Sequence, residues 1–439
     1  MNGQSMYHRV LIVGTTPFNH NTPSRAFDAY FGQWDRNCLQ QVFSNPMKPI
    51  KGHCNSLYQI TDSQMLKCFL HKSTDSGVIY NYDDLCETDK ESVNVNKSSF
   101  ISFLYRLGAI KTPLNRLLRW YIWKEKYWNN EKFNKWIDKF NPECVFLAFS
   151  DDFFINEIAI YIADKYNIPI MCCIGDDYFF NDENKISPLY YIYRSQYKKI
   201  IRSVFKHKCS ALYISDKIRD KYNHEFGIHG DTIYLSSELE RREFRPINKE
   251  APLITYCGNI RLGRNRSLVD IAEVLQRINP NYYVTVYSNE SDMAFIKPLK
   301  KCKGIRFIGA VPYTEVKKVF NKSDIVIIAE GFSQNDVNLT RYSLSTKAAD
   351  SITSGCQILT YGARECGVVG YMKSVNCGIT CSNKSKLSAL IKRLIEDEAL
   401  QQFYYQRSEQ IMTAHHSKIK SNKKTYRLFK TLIEGCYEK

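Results

Sequence analysis

The sequence predicts an α/β protein made of two doubly wound parallel-sheet domains in series. Three observations carry that expectation. The chain has 439 residues, too many for one ordinary core and suited to two domains of about 200 residues each. Short apolar runs alternate with amphipathic stretches, the pattern of buried parallel strands between covering helices. The pattern breaks once, at the polar, aperiodic stretch SSELERREFRPINKEA over 236–251, and then restarts.

In the first half RVLIVGT (9–15) is the opening strand, ending in a Gly/Thr/Pro loop. CVFLAFS (144–150) and PIMCCIG (169–175) are two more, separated by the helical INEIAIYIADKYN, and SALYIS (210–215) precedes the helix DKIRDKY. After the break come PLITYCG, a helix over 267–278, YYVTVYSN, IRFIGAV, TEVKKVFNKS, DIVIIAE, a helix over 344–354, CQILTYG and VNCGITC. The last thirty residues are helical in composition and lysine-rich. The expected boundaries are 1–238 for the first domain, 239–251 for the link, 252–412 for the second domain and 413–439 for a C-terminal helix packing back on the first. Two such sheets are expected to face a central cleft with their carboxyl ends, where open α/β sheets bind ligands.

Composition narrows the class. Apolar residues make up 44% of the chain and the mean hydropathy is −0.39. No run approaches the roughly 18 to 20 apolar residues of a membrane-spanning helix, and the N-terminus has no basic segment followed by an apolar one and a cleavage site. A cytoplasmic protein is expected. Fifteen cysteines are an odd count, which argues against a complete disulfide framework, and Cys144, Cys172, Cys173 and Cys257 lie inside apolar runs, where cysteine acts as a small hydrophobe. There is no CxxC, and Cys377 and Cys381 lack a matching His or Cys pair, so no structural metal is expected. The absence of GxGxxG, GxxxxGK[ST] and HExxH leaves no cofactor to expect. The net charge of +16 suits a negatively charged partner: nucleic acid, an anionic membrane face or a phosphorylated substrate.

The most informative stretch is RYSLSTKAADSITSGCQILTYG, residues 341–362. Ser345 and Thr346 fall at a helix start, where unpaired N–H groups and the positive dipole end accept a phosphate. Lys347 adds a charge there. Asp350, three residues on and on the same face, suits ribose hydroxyls, and Gly355 suits the C′ position. An ordinary capped surface helix with a Lys–Asp pair has the same composition, so the residues alone leave both readings open.

STKAADSITSGCQILTYG resembles the nucleotide-sugar segment of family-4-type glycosyltransferases of the GT-B fold, in which Ser-Lys-x-x-(Glu/Asp)-x-x-x-x-Gly precedes an apolar strand. Thr346, Lys347, Asp350 and Gly355 fall on that spacing. YCGNIRLGRNRSL (256–268), with Gly258, resembles the glycine-and-basic loop that opens the family's second domain, and 305–330 resembles the strand, glycine, helix and strand before its site. The resemblance covers about 250–395 and is only topological over 1–235. It implies that Lys347 contacts the diphosphate and Asp350 the ribose, with Gly258, Ser345 and Thr346 also on the donor. Arg261 and Arg264 become clamps for the leaving group, since cations in a closed cleft stabilise a departing diphosphate.

Two departures stand out. The first Glu of the family's Glu-x7-Glu pattern falls on Tyr342, leaving its role to Glu330 or Arg341. The family's first-domain histidine is replaced by GDDYFF, so Asp176 or Asp177 supplies the polar contact. The family is retaining, but a carboxylate there also suits a general base and inversion.

By the same resemblance Gly14 and Thr15, with Thr16, approach the donor phosphate or the acceptor. Asn19, His20 and Asp151 are the acceptor-side residues, and Asp151 with Asp152 in FSDDFF is a poor DxD metal pattern. Trp120, Trp123, Trp128 and Trp136 all lie within 111–139, where eight Lys/Arg face three acids. That composition suits an interfacial membrane helix, as does the basic 193–208; a helix packing its aromatics on the sheet has the same composition. The expected function is transfer of a hexosyl group, without a metal, from a nucleotide-sugar to a glycan or polyprenyl-diphosphate-linked saccharide in surface polysaccharide synthesis. The protein would be cytoplasmic and peripheral on the membrane face. The rival expectations are an inactive GT-B homologue and a basic nucleic-acid-binding α/β protein, although no nucleic-acid motif is visible.

Overall fold

The computed structural model describes residues 7–17, 25–73, 75–87, 112–182 and 187–435. The chain forms two compact units, Met1–Ile233 with Asn422–Lys439, and Tyr234–Ser421.

The first unit is built on an eight-stranded sheet. Its strands are β1 (Val10–Gly14), β2 (Leu39–Phe43), β3 (Ser56–Gln59), β4 (Val78–Asn81), β5 (Cys144–Ala148), β6 (Ile170–Ile174), β7 (Cys209–Tyr213) and β8 (Asp231–Thr232), in the order β4-β3-β2-β1-β5-β6-β7-β8. Every pairing is parallel except β3 with β4. The apolar runs expected as strands are β1, β5, β6 and β7. β2 escapes that pattern because LQQVF carries two glutamines, yet all five residues are buried. Gln41 tolerates this because its amide donates to the Thr16 carbonyl at 2.8 Å, and a buried polar group costs little once paired.

The helix Lys418–Glu434 contributes its later turns to this unit. Phe429 is fully buried, with its ring 5.2 Å from Trp34 and 5.7 Å from Phe31. Asn422 accepts from the Gln33 N–H and donates to the Asp28 carbonyl, both at 3.0 Å.

The tryptophan-rich segment folds as the helices Pro113–Ile122, Glu125–Trp128 and Glu131–Phe140. Of the two readings of its tryptophans, the packed one holds for three: Trp123, Trp128 and Trp136 are buried, and Trp120 donates to Glu157 at 2.8 Å. Trp123 stacks on Phe154 at 3.6 Å between centroids. At this spacing the indoles serve the core, with lysines left outside. Trp123→Ala is therefore expected to cost about 3–5 kcal/mol of stability, read as a lower denaturation midpoint of the full chain. A change under about 0.5 kcal/mol, typical of a surface site, would contradict this packing.

The second unit has six parallel strands, β9 (Ile254–Cys257), β10 (Val284–Tyr287), β11 (Ile305–Gly309), β12 (Ile325–Ala329), β13 (Gln357–Tyr361) and β14 (Ile379–Cys381). Their order is β11-β10-β9-β12-β13-β14, the doubly wound arrangement in which strand order reverses between β9 and β12. Both faces are covered, as the unbroken apolar strand runs require. Ile325, Ile327 and Ala329 point into one core with Leu268, Ile271, Leu387 and Ile391, while Val326 and Ile328 point into the other with Ile352 and Val369. The polar stretch 236–251 has no regular secondary structure and is pinned along this unit. Arg241 donates to the carbonyls of Ile352 and Tyr405 at 3.0 and 2.6 Å.

Candidate active site

Ligands of doubly wound sheets bind beyond the carboxyl ends of the strands where the order reverses. In the second unit that point lies between Gly258, after β9, and Glu330, after β12. Four side chains converge there. Arg264, the first residue of the helix Arg264–Ile278, grips Glu330 in a fork, Nε to Oε2 at 3.1 Å and Nη2 to Oε1 at 3.0 Å. Glu330 is buried. Lys347, in the first turn of the helix Thr346–Ser354, donates from Nζ to the Tyr256 hydroxyl at 2.5 Å. Tyr256 passes the chain on by donating to the Asn259 carbonyl.

The local backbone makes this approach possible. Gly258 has φ +137, a backbone conformation that side-chain-bearing residues rarely adopt, and a Cβ there would come within 2.3 Å of Lys347 Cε, so a larger residue would strain the turn and displace the lysine from the end of β9. Ser345 caps the helix with its hydroxyl accepting from the Lys347 N–H, which stabilises the turn carrying Lys347.

The electrostatics are unbalanced. Arg264 and Lys347 are opposed by one carboxylate, Glu330. Burial, reinforced by the charge of Arg264, lowers the Lys347 ammonium to about 7. Such a lysine gains most from an anion, because an opposite charge offsets the cost of desolvating the ammonium. On the same helix Asp350 is buried and accepts from the Ser237 hydroxyl at 2.6 Å.

The expected residues divide between this cluster and other places. Gly258, Arg264, Glu330 and Lys347 meet at the switch point, with Asp350, Ser345 and the exposed Thr346 on the adjoining helix. Arg261 is half-exposed and forks onto Glu290, Nε to Oε2 at 2.6 Å and Nη2 to Oε1 at 2.9 Å, with its guanidinium 4.9 Å from the Phe295 ring centroid. Its fork thus closes on Glu290 rather than on the Lys347 group. Tyr256 is absent from the expectation because ITYC reads as a plain apolar strand; a tyrosine two residues before the Gly258 turn is the only trace it leaves.

In the first unit the corresponding reversal lies between β1 and β5. Gly14 is buried at the end of β1, and the Thr15 carbonyl accepts from the N–H groups of Ser44 and Asn45. Asp151 and Asp152 follow β5 but are ion-paired, Asp151 with Arg116 and Asp152 with Arg119, each at 2.5 Å. Arg119 also forks onto Asp62 at 2.8 and 3.1 Å, and Asp62 accepts from the Trp123 indole at 2.7 Å. Asp177 accepts from the Phe180 N–H at 2.9 Å and the Tyr222 hydroxyl at 3.2 Å, and its Oδ2 is buried without a partner. Asp176 is exposed. Asn19 and His20 lie outside the described residues.

The fold is GT-B, two doubly wound sheets in one chain. Among solved structures, HepE of Anabaena in complex with UDP matches with a TM-score of 0.57 at 10% identity, over 96% of this chain and 100% of that one. The α,α-trehalose-phosphate synthase (UDP-forming) of Burkholderia vietnamiensis matches at 0.54 and 7% identity, over 98% and 100%. A glycosyltransferase of Rickettsia africae matches at 0.53 and 13%, again over 98% and 100%. No family model matches the sequence, and no curated protein does. Likenesses at this identity establish the fold alone.

Proposed function

We propose that the protein is a glycosyltransferase that moves a hexosyl group from a nucleotide-sugar to a glycan or polyprenyl-diphosphate-linked saccharide in surface polysaccharide synthesis. The observation that carries the reading is the unbalanced Lys347–Arg264–Glu330 cluster at the strand-order reversal. Lys347 and Arg264 hold the diphosphate, and Asp350, oriented by Ser237, takes the ribose. In the transfer, the bond from the anomeric carbon to the diphosphate oxygen breaks. A bond to the acceptor oxygen forms, and the acceptor hydroxyl gives its proton to the Asp176 or Asp177 carboxylate if the course is inverting, or to the departing diphosphate oxygen if it is retaining. The two cations stabilise the charge arriving on the nucleoside diphosphate, so the reading includes no metal and no cofactor. Asp176 or Asp177 contacts the sugar or acceptor side, and whether it acts as a base decides between inversion and the family's retention. The solved GT-B relatives bound to UDP and UDP-glucose support a nucleotide-sugar donor.

The test is a thermal-shift panel of UDP, GDP, CMP, dTDP and ADP with and without their sugars. One nucleotide is expected to raise the midpoint by a few degrees. Silence from all of them moves the weight to an inactive homologue or, with salt-sensitive RNA binding, to a nucleic-acid protein.

Peripheral membrane binding also belongs to this reading. Among the described residues no helix is long and apolar enough to cross a membrane. The packed helices Pro113–Ile122 and Pro188–Val204 leave Leu114, Leu118, Tyr121, Leu189, Tyr191 and Ile192 exposed. Cosedimentation with phosphatidylglycerol vesicles is expected at low salt and should weaken as salt rises; none at low salt rejects it.

A further inference from the structure

A pocket of about 560 Å³ opens in the first unit between the strands β2, β3 and β4 and the helix Glu131–Phe140, within the range of small-ligand sites. Gln40, the second residue of β2, lies beside Ser56, the first of β3, and Ser56 lies beside Asn81, the last of antiparallel β4. The three form one polar row at the amino ends of the parallel strands. Gly14 and Asp151 lie beyond the carboxyl ends, at the other side of this sheet, so the pocket is separate from the first unit's part of the transferase site.

Floor and wall differ in chemistry. Gln40 is 8% exposed, and its carbonyl oxygen is buried without a hydrogen-bond partner. A buried acceptor left unpaired costs free energy, and the broad rotation of a terminal amide lets it turn either end to the pocket. Ser56 is committed, its hydroxyl accepting from the Trp136 indole at 2.9 Å, which fixes the helix over the row. That helix lines the pocket with Lys132, Lys135 and Lys139, three and four residues apart and so on one face. The one carboxylate in the lining, Glu131, pairs with Lys135 at 2.6 Å. Lys132 donates to the Gly77 carbonyl at 2.8 Å, with Asp75 at 3.7 Å. Among the described residues no ion pair engages Lys139. Like charges at these spacings destabilise a helix, and an anion in the pocket would reverse that cost.

We infer that this pocket binds an acidic pyranose, a sugar ring carrying a phosphate or a carboxylate. The anionic group meets the lysines, Lys139 foremost, in charge-assisted hydrogen bonds. Ring hydroxyls both donate and accept, and so satisfy the Gln40 amide. A neutral sugar would leave the lysines unpaired, and an anion without hydroxyls brings no donor for the Gln40 oxygen. The inference is independent of the transferase reading, since it concerns the opposite end of the first sheet and requires no nucleotide. Such a ring has two sources, a free sugar phosphate and an acidic residue of a glycan.

Saturation-transfer difference NMR on the full chain separates them. The probes are glucose 6-phosphate and methyl β-glucuronide, with methyl β-glucoside as the neutral control. The variants are Lys139→Ala, at an exposed position, and Gln40→Leu, which puts an apolar group of similar volume where a polar one is unpaired; both are expected to fold. The expected result is a wild-type signal from at least one acidic probe, several-fold stronger than from the glucoside and reduced several-fold in both variants. Signal from glucose 6-phosphate alone assigns the free sugar phosphate, signal from the glucuronide alone assigns the acidic glycan, and signal from both assigns the shared chemistry. The inference is overturned if neither acidic probe gives a signal, if the glucoside matches them, or if either variant keeps the wild-type signal. Loss of the fold in Gln40→Leu would mean that this amide is already engaged in the free protein, and overturns it as well.

Discussion

Lys347→Ala is expected to weaken nucleoside diphosphate binding by roughly 2–5 kcal/mol, about 30-fold to several thousand-fold in Kd, the range for removing one partner of a buried charge pair. The fold should survive. Lys347 sits in the first helical turn, alanine is a strong helix former, and Ser345 still caps the helix. Titration calorimetry on the full chain checks this, and unchanged affinity removes Lys347 from the site. The same residue sets a pH dependence. The free ammonium lies near 7, lowered by burial and then by Arg264, whereas a bound diphosphate favours its charged form and raises it. Below about pH 7 the lysine is already charged and contributes no pH dependence. As pH rises above that value, binding must take up a proton, and affinity falls by up to about tenfold per pH unit until the value in the complex is reached. The slope should vanish in Lys347→Ala. In the ligand-free protein the sign reverses: the unfolded chain binds this proton more tightly, so the fold gains stability from the group as pH rises above about 7 and loses it as pH falls back.

The second large effect is at Glu330. Glu330→Ala leaves Arg264 buried without its carboxylate and is expected to destabilise the second unit by about 3–5 kcal/mol. Arg264→Met in the same chain should return part of that loss, because it removes the buried charge that Glu330→Ala leaves uncompensated. Hydrogen–deuterium exchange of the helix Arg264–Ile278 reads the effect locally. Additive losses in the double variant would mean that the two side chains do not act as a pair. Nucleotide affinity gives an independent reading: the double variant regains stability but not binding, since the clamp is gone.

Much of the architecture is legible in the residues because the physics behind it is local. Strands buried on both faces must be apolar throughout, so DIVIIAE and CQILTYG announce β12 and β13 without a partner in view. Helix Thr346–Ser354 is similarly legible, since a capping serine and a following glycine act within one turn. β2 is not, because its glutamines depend on partners outside the strand, Gln41 on a loop carbonyl from a distant part of the chain. The tryptophan segment shows the same limit: periodicity says that a face is aromatic, but not whether protein or lipid covers it, and the covering residue of Trp123 is Phe154, thirty-one positions away.

The sequence by itself determined two α/β units, the place of the helix Thr346–Ser354 and the identity of Lys347 and Asp350 as polar residues on it. These depend on spacing along one helix and on composition along single strands. Only the tertiary structure decided what those residues meet. Strand order places Gly258 beside Glu330, crossing of the β9 end brings Lys347 to Tyr256, and helix position gives Arg264 to Glu330 while Arg261, three residues earlier, goes to Glu290. Each of those pairings joins segments separated by tens of residues, and hydrogen-bond geometry over a few ångströms is a property of the folded chain that no local pattern encodes.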